Sequence, residues 1–142
     1  MKEEEGERYT LTAPANAGAA RMAREFMTAA LVATDHRRLI ENARICVSDT
    51  VANIVRHARV RELTVELTAH PGRVRVSVRD DDPHRLPWRG GGGSPGLALV
   101  RRLSHASGVW WVWDDLELVG KQVWFEFRCG RPAARAEAGA VG

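Results

Sequence analysis

The chain has 142 residues, 44% of them hydrophobic and 27% charged, with a formal net charge of +3. That balance over one domain's length is enough to bury a sizeable core, which excludes wholesale disorder and leaves no need for a second domain. The basic surplus invites a nucleic-acid partner, but of the 21 basic residues only Lys2 and Lys121 are lysine, and the arginines spread along the whole chain without a basic run or a reading helix, so neither DNA nor RNA is the expected partner.

In chain order, the acidic start Met1 to Glu7 lacks the apolar core of a signal peptide. No run approaches the roughly 18 apolar residues of a membrane span. We expect a cytoplasmic protein with no membrane contact, a disordered acidic segment over 1–7, a single domain over 8–129 and a flexible tail over 130–142. Arg8 to Ala13 alternates polar and apolar side chains, the pattern of a short strand with one buried face, and Pro14 stops it. From Ala15 to about Val32 the alanines, with Met22, Phe26, Met27 and Leu31, repeat at helical spacing and predict an amphipathic helix. Thr34 or Asp35 is the expected cap of a second, long helix from about His36 to Ala58.

That helix carries an apolar face of Leu39, Ala43, Cys46, Val47, Thr50, Val51 and Ile54. Asp49, Asn53 and His57 recur four apart beside it, so a carboxylate, an amide and an imidazole share one side. The stripe is either the solvated edge of an ordinary helix or a place to hold a hydrated cation and move a proton. Leu63, Val65 and Leu67 alternate with polar residues, and His70-Pro71-Gly72-Arg73 turns the chain into Val74 to Arg79, a β-hairpin by pattern and turn chemistry. It ends on Asp80-Asp81-Asp82. A loop from His84 to Pro95 follows, with a run of four glycines, and a third helix opens at Gly96-Leu97. Glycine there lets backbone approach a ligand closely, and the first-turn N–H groups favour an anion.

Two more strands are expected, Val109 to Trp113 and Gln122 to Phe127, joined through a turn holding Gly120-Lys121. Four of the five tryptophans lie in this region and read as core and sheet-face residues, not as a platform for stacking bases. Cys46 and Cys129 form no CxxC or Cys/His cluster, so both are expected as thiols, and the five scattered histidines have no zinc-ligand spacing. The order of elements predicts an α+β fold, a two-layer sandwich of three helices on one face of a mixed, mostly antiparallel sheet.

Four stretches in order, Val47 to Ala58, Val76 to Pro83, Pro95 to Val100 and Gly120 to Glu126, resemble the boxes of the GHKL (Bergerat-type) ATP-binding fold of gyrase and the histidine kinases. The resemblance is to its small single-domain branch, the anti-sigma-factor serine/threonine kinases and related ATP-binding regulators. It implies ATP and Mg²⁺ as cofactors, Asn53 as the Mg²⁺ ligand and Asp80 as acceptor for the adenine amino group. It further implies Asp49 as general base, Asp82, Gly93, Gly96 and Leu97 along the nucleotide, and a sigma factor or its antagonist as protein partner. Relatives in this branch often dimerise, which would make a homodimer the assembly.

Departures from the family pattern matter. Asp49 stands where Glu is usual, an arm shorter by about 1.5 Å, and displacing a general base by about 1 Å can cost a hundredfold. Asp82 stands where Gly is usual, Ser94-Pro95 precede Gly96 in place of a glycine pair, and Gln122 falls where relatives often place Thr. Three acids at 80–82 would repel a triphosphate unless Mg²⁺ or arginines such as Arg85 and Arg89 offset them. These departures keep a second reading open, a degenerate domain that binds a protein partner without phosphotransfer; DNA binding is a third.

Overall fold

The computed structural model describes residues 6–57, 59–82 and 96–129. Five strands, β1 (Glu7–Pro14), β2 (Glu62–His70), β3 (Arg73–Asp80), β4 (Ala106–Asp114) and β5 (Glu117–Arg128), form one sheet in the order β1-β2-β3-β5-β4. Every pairing in it is antiparallel. Helices α1 (Ala19–Ala33), α2 (Ile40–His57) and α3 (Gly96–Leu103) make the second layer, with a 3-10 turn at Arg37–Leu39 leading into α2. The two-layer α+β sandwich is therefore as expected from the order of elements.

Alternation along the strands decides the core. Leu63, Val65, Leu67, Val74, Val76, Val78, Val123, Phe125 and Phe127 are all buried, and they meet Met27 and Leu31 of α1 and Ala43, Cys46, Val47, Val51 and Ile54 of α2 in one cluster. Burying a side chain of this size stabilises the fold by about 1.5–3 kcal/mol. The opposite face of the sheet carries the polar positions of the same strands and has no helix on it among the described residues.

Several local expectations need correction. α1 begins at Ala19, not Ala15, and Met22 lies on its exposed side. Neither Thr34 nor Asp35 caps α2. The Thr34 hydroxyl donates back to Ala30 O at 2.9 Å and closes α1, while Asp35 takes a left-handed φ of 64° that reverses the chain. The β4–β5 connection is not at Gly120-Lys121: β5 already runs through both, and Asp115-Leu116 makes the reversal, with Asp115 at φ 59°. The four tryptophans of β4 and β5 are sheet-face residues but not core ones; Trp110 and Trp113 are exposed, and Trp124 packs beside Trp110 with ring centroids 5.6 Å apart.

Candidate functional site

Helix α2 lies against α3, and its start-to-end run of apolar positions seats it on the sheet. One turn apart on its flank stand Asp49, Asn53 and His57. Asn53 is buried, Asp49 and His57 half-buried. Asp49 Oδ2 and His57 Nε2 are fully covered and have no hydrogen-bond partner among the described residues. Covered polar atoms are nearly always paired, because leaving one unpaired costs about 1–3 kcal/mol. Two orphans flanking a buried amide on one helix side are the arrangement expected where a ligand supplies the missing partners. Burial pushes the Asp49 carboxyl above its usual range, against the pull of Arg56. The neighbouring Cys46 thiol is pushed up to about 12, by burial first and then by the Asp49 charge. Asp49 also borders an open cleft of about 360 Å³ between α1 and α2, lined by Arg24, Arg44 and Ser48, where Arg24 Nη1 donates to Ser48 Oγ at 2.9 Å.

The second cluster forms where β3 ends. Asp80 and Lys121 are cross-strand partners in the β3–β5 ladder, so their side chains leave the same face of the sheet. Lys121 Nζ donates to Asp80 Oδ1 at 2.9 Å and to Asp82 O at 2.8 Å, with both side chains almost wholly buried. The Asp82 amide donates to the same Asp80 Oδ1 at 2.8 Å. Asp82 Oδ2 in turn accepts from the Arg59 amide at 2.9 Å, which ties the end of β3 to the connection leaving α2. Asp81 is the outward acid and pairs with Arg79 at 3.6 Å. Burial raises the Asp80 carboxyl; the Lys121 bond, the Asp82 amide and the Lys121 charge oppose it, and the Asp82 charge adds to it. Each acid of the triplet thus has a partner.

The role of Gly120 comes from this packing. A Cβ there would stand 2.6 Å from Asp80 O and 3.1 Å from Asp81 Cα, so only glycine lets β5 come this close to the end of β3. Lys121 is the residue that sequence reasoning missed. The inward position beside Asp80 is 121, not 122, and the signal was the alternation itself: Val123, Phe125 and Phe127 point inward, so Lys121 must too.

The third part is α3, which starts at Gly96. Leu97 and Val100 are buried beneath it and help line a cavity of about 250 Å³ with Val109, Trp111 and Val123. Gly93, the rest of the glycine loop, Ser94, Pro95, Arg85 and Arg89 lie outside the described residues, as do 1–5 and the tail from 130. The bond between Arg59 and Asp82 brings the C-terminal end of α2 to the end of β3, so the α2 stripe and the Asp80 cluster border one region of the fold.

The donor set fits a hydrated Mg²⁺. Among the described residues no three His, Cys, Asp or Glu side chains group to hold a metal by themselves. Mg²⁺ keeps most of its waters and needs one or two protein oxygens beside substrate phosphates; Asp49 Oδ2, without a partner among the described residues, and the Asn53 amide one turn on are oxygen donors of that kind.

No family model and no curated protein matches the chain. Among solved structures, the chain is similar to the crystal structure of the RsbU and RsbW domains of Rv1364c from Mycobacterium tuberculosis, with a TM-score of 0.62 and 23% identity over 86% of this chain. It spans about a third of that chain's length, 32%. At this identity the likeness is one of fold, a two-layer α+β sandwich shared with part of that chain. No helix among the described residues is long and apolar enough to cross a membrane.

Proposed function

We propose that the protein is an ATP-binding regulator of the anti-sigma-factor serine/threonine kinase type, which holds Mg-ATP beside α2 and acts on a protein partner, a sigma factor or its antagonist. The observation that carries this reading is the pair of buried atoms without a partner among the described residues, Asp49 Oδ2 and His57 Nε2, on either side of Asn53. When bound, Mg-ATP supplies the phosphoryl group and the positive charge that offsets its oxygens. Asn53 and Asp49 would hold the cation through oxygen, and His57 Nε2 would meet a phosphate oxygen or a water of the cation shell. The first-turn amides of α3 at Gly96 and Leu97 would face phosphate, where a helix N-terminus favours an anion. Asp80 would accept from the base.

Asp49 would accept the proton of a partner serine or threonine hydroxyl. Burial raises its carboxyl, and a stronger base is a better acceptor as long as it stays ionised. Its short arm favours the second reading, partner binding without transfer. Transfer of labelled phosphate from ATP to a co-encoded antagonist protein would exclude that one.

The test is a calorimetric titration with ATP, with and without Mg²⁺, of wild type, Asn53→Ala and Asp80→Asn. Saturable binding that needs Mg²⁺ and weakens about tenfold or more in Asn53→Ala supports the proposal. No binding at millimolar ATP overturns it.

A further inference from the structure

Lys121 is one of only two lysines in an arginine-rich chain, and it is buried at the base end of the site, with 2% of its surface exposed. An ammonium has three N–H donors. Among the described residues two are engaged, by Asp80 Oδ1 at 2.9 Å and Asp82 O at 2.8 Å, which leaves the third. On the acid, the Lys121 ammonium and the Asp82 amide both bond Oδ1, which leaves Oδ2 as the oxygen that can take a further donor. The end of β3 therefore holds an acceptor and a charged donor side by side, both almost wholly buried, and not a carboxylate alone.

This changes what the site can read. The edge of a 6-aminopurine offers an amine donor at N6 beside an acceptor at N1. The edge of a 6-oxopurine offers the reverse, an acceptor at O6 beside a donor at N1. Opposite position 6, a lone buried carboxylate rewards the amine and repels O6, because it has no proton to give. The Asp80–Lys121 pair matches either edge: carboxylate to N6 and ammonium to N1 in one case, ammonium to O6 and carboxylate to N1–H in the other. The ammonium also offsets the Asp80 charge at short range, so O6 meets a donor there in place of a bare carboxylate.

We propose that Lys121 sets base selectivity in this protein by removing the preference for adenine, so that 6-oxopurine nucleoside triphosphates occupy the site alongside ATP. The proposal rests on the nucleotide-binding reading above and extends it to the class of ligand.

The experiment is a calorimetric titration of the full chain with ATP, ITP and GTP in Mg²⁺, for wild type and Lys121→Thr. The threonine removes the ammonium and keeps a small hydroxyl. The expected result is that wild type binds ITP within about threefold of ATP, and that the variant binds ATP about tenfold or more tighter than ITP, the scale of one unmatched charged hydrogen bond. Wild type that binds ATP about tenfold or more tighter than ITP overturns the role of Lys121 while leaving nucleotide binding intact. Absence of binding by all three nucleotides overturns the nucleotide reading, and this proposal with it. Should the variant fail to fold, the wild-type ratio of ATP to ITP decides alone.

Discussion

Arg75 Nη2 lies 3.0 Å from Glu126 Oε1 across β3 and β5, and the same guanidinium sits 4.3 Å from the centre of the Trp124 ring. Arg128 Nε reaches the other carboxylate oxygen at 3.2 Å. Burial alone would raise the Glu126 carboxyl, but the bonds and charges of the two arginines outweigh it and hold it below its ordinary 4.5. A carboxyl lowered on folding contributes stability that is present above its unfolded value and lost as pH falls through the folded one. Glu126→Gln should therefore show a smaller loss of stability than wild type on acidification from pH about 4.5 downward, read by urea denaturation at stepped pH. Parallel losses in the two proteins would mean the pair contributes nothing. High salt should narrow the difference, since both arginines are partly exposed.

Asp80→Ala should destabilise the protein by about 3–5 kcal/mol, because it leaves the Lys121 ammonium buried without its anion. Lys121→Met in the same chain should recover much of that loss, as both charges are then gone. A denaturant midpoint for the double variant equal to the sum of the two single losses would show that the pair is not coupled. Loss of nucleotide binding in Asp80→Ala would thus mix two causes, and Asp80→Asn is the cleaner probe of recognition.

Gly120→Ala should cost about 1–3 kcal/mol, the scale of a forced overpacking. The added Cβ meets backbone atoms at 2.6 and 3.1 Å, which cannot swing aside. It should also weaken nucleotide binding, by moving β5 at the Asp80–Lys121 pair. Gly18→Ala is the control: its nearest neighbour is the Asn16 side chain at 3.6 Å, and a change within about 0.5 kcal/mol is expected. Equal thermal shifts for the two variants would rule out the close-approach argument.

Asp49→Asn should make the ligand-free protein more stable, by the roughly 1 kcal/mol seen when a strained site residue is relaxed. Its carboxyl is raised on folding, so its ionisation opposes folding increasingly as pH rises above the ordinary 3.8, and the gain in the variant should appear over the same window and persist at neutral pH. Phosphotransfer, where present, should be lost. A variant less stable than wild type at neutral pH would place Asp49 among the structural residues instead.

Much of this fold is legible in the sequence alone. The alternation of Arg8 to Ala13 and of Leu63 to Arg79, the Pro71-Gly72 turn and the apolar face of α2 each depend on local periodicity, and each appears in the fold within a residue or two. Helix ends were less legible: Thr34 has the chemistry of a cap for the helix that follows, yet its hydroxyl bonds the helix that precedes it, and only the reversal at Asp35 decides between them. Gly120 looked like turn punctuation because a glycine's reason is not written in its neighbours; here it is the nearness of the Asp80 carbonyl.

By itself the sequence determined the two-layer architecture, the stripe Asp49–Asn53–His57 and the acid at the end of β3, since periods of 3.6 and 2 place side chains on faces without reference to the rest of the chain. Tertiary structure alone decided that Asp80 faces Lys121 and that Asp82 turns back to the Arg59 amide. It also decided that Asp49 Oδ2 and His57 Nε2 are covered without partners among the described residues. The physical reason is that register and burial are relations between distant segments. Residues 41 positions apart meet at Asp80 and Lys121, and whether a buried charge is compensated depends on what the fold brings to it.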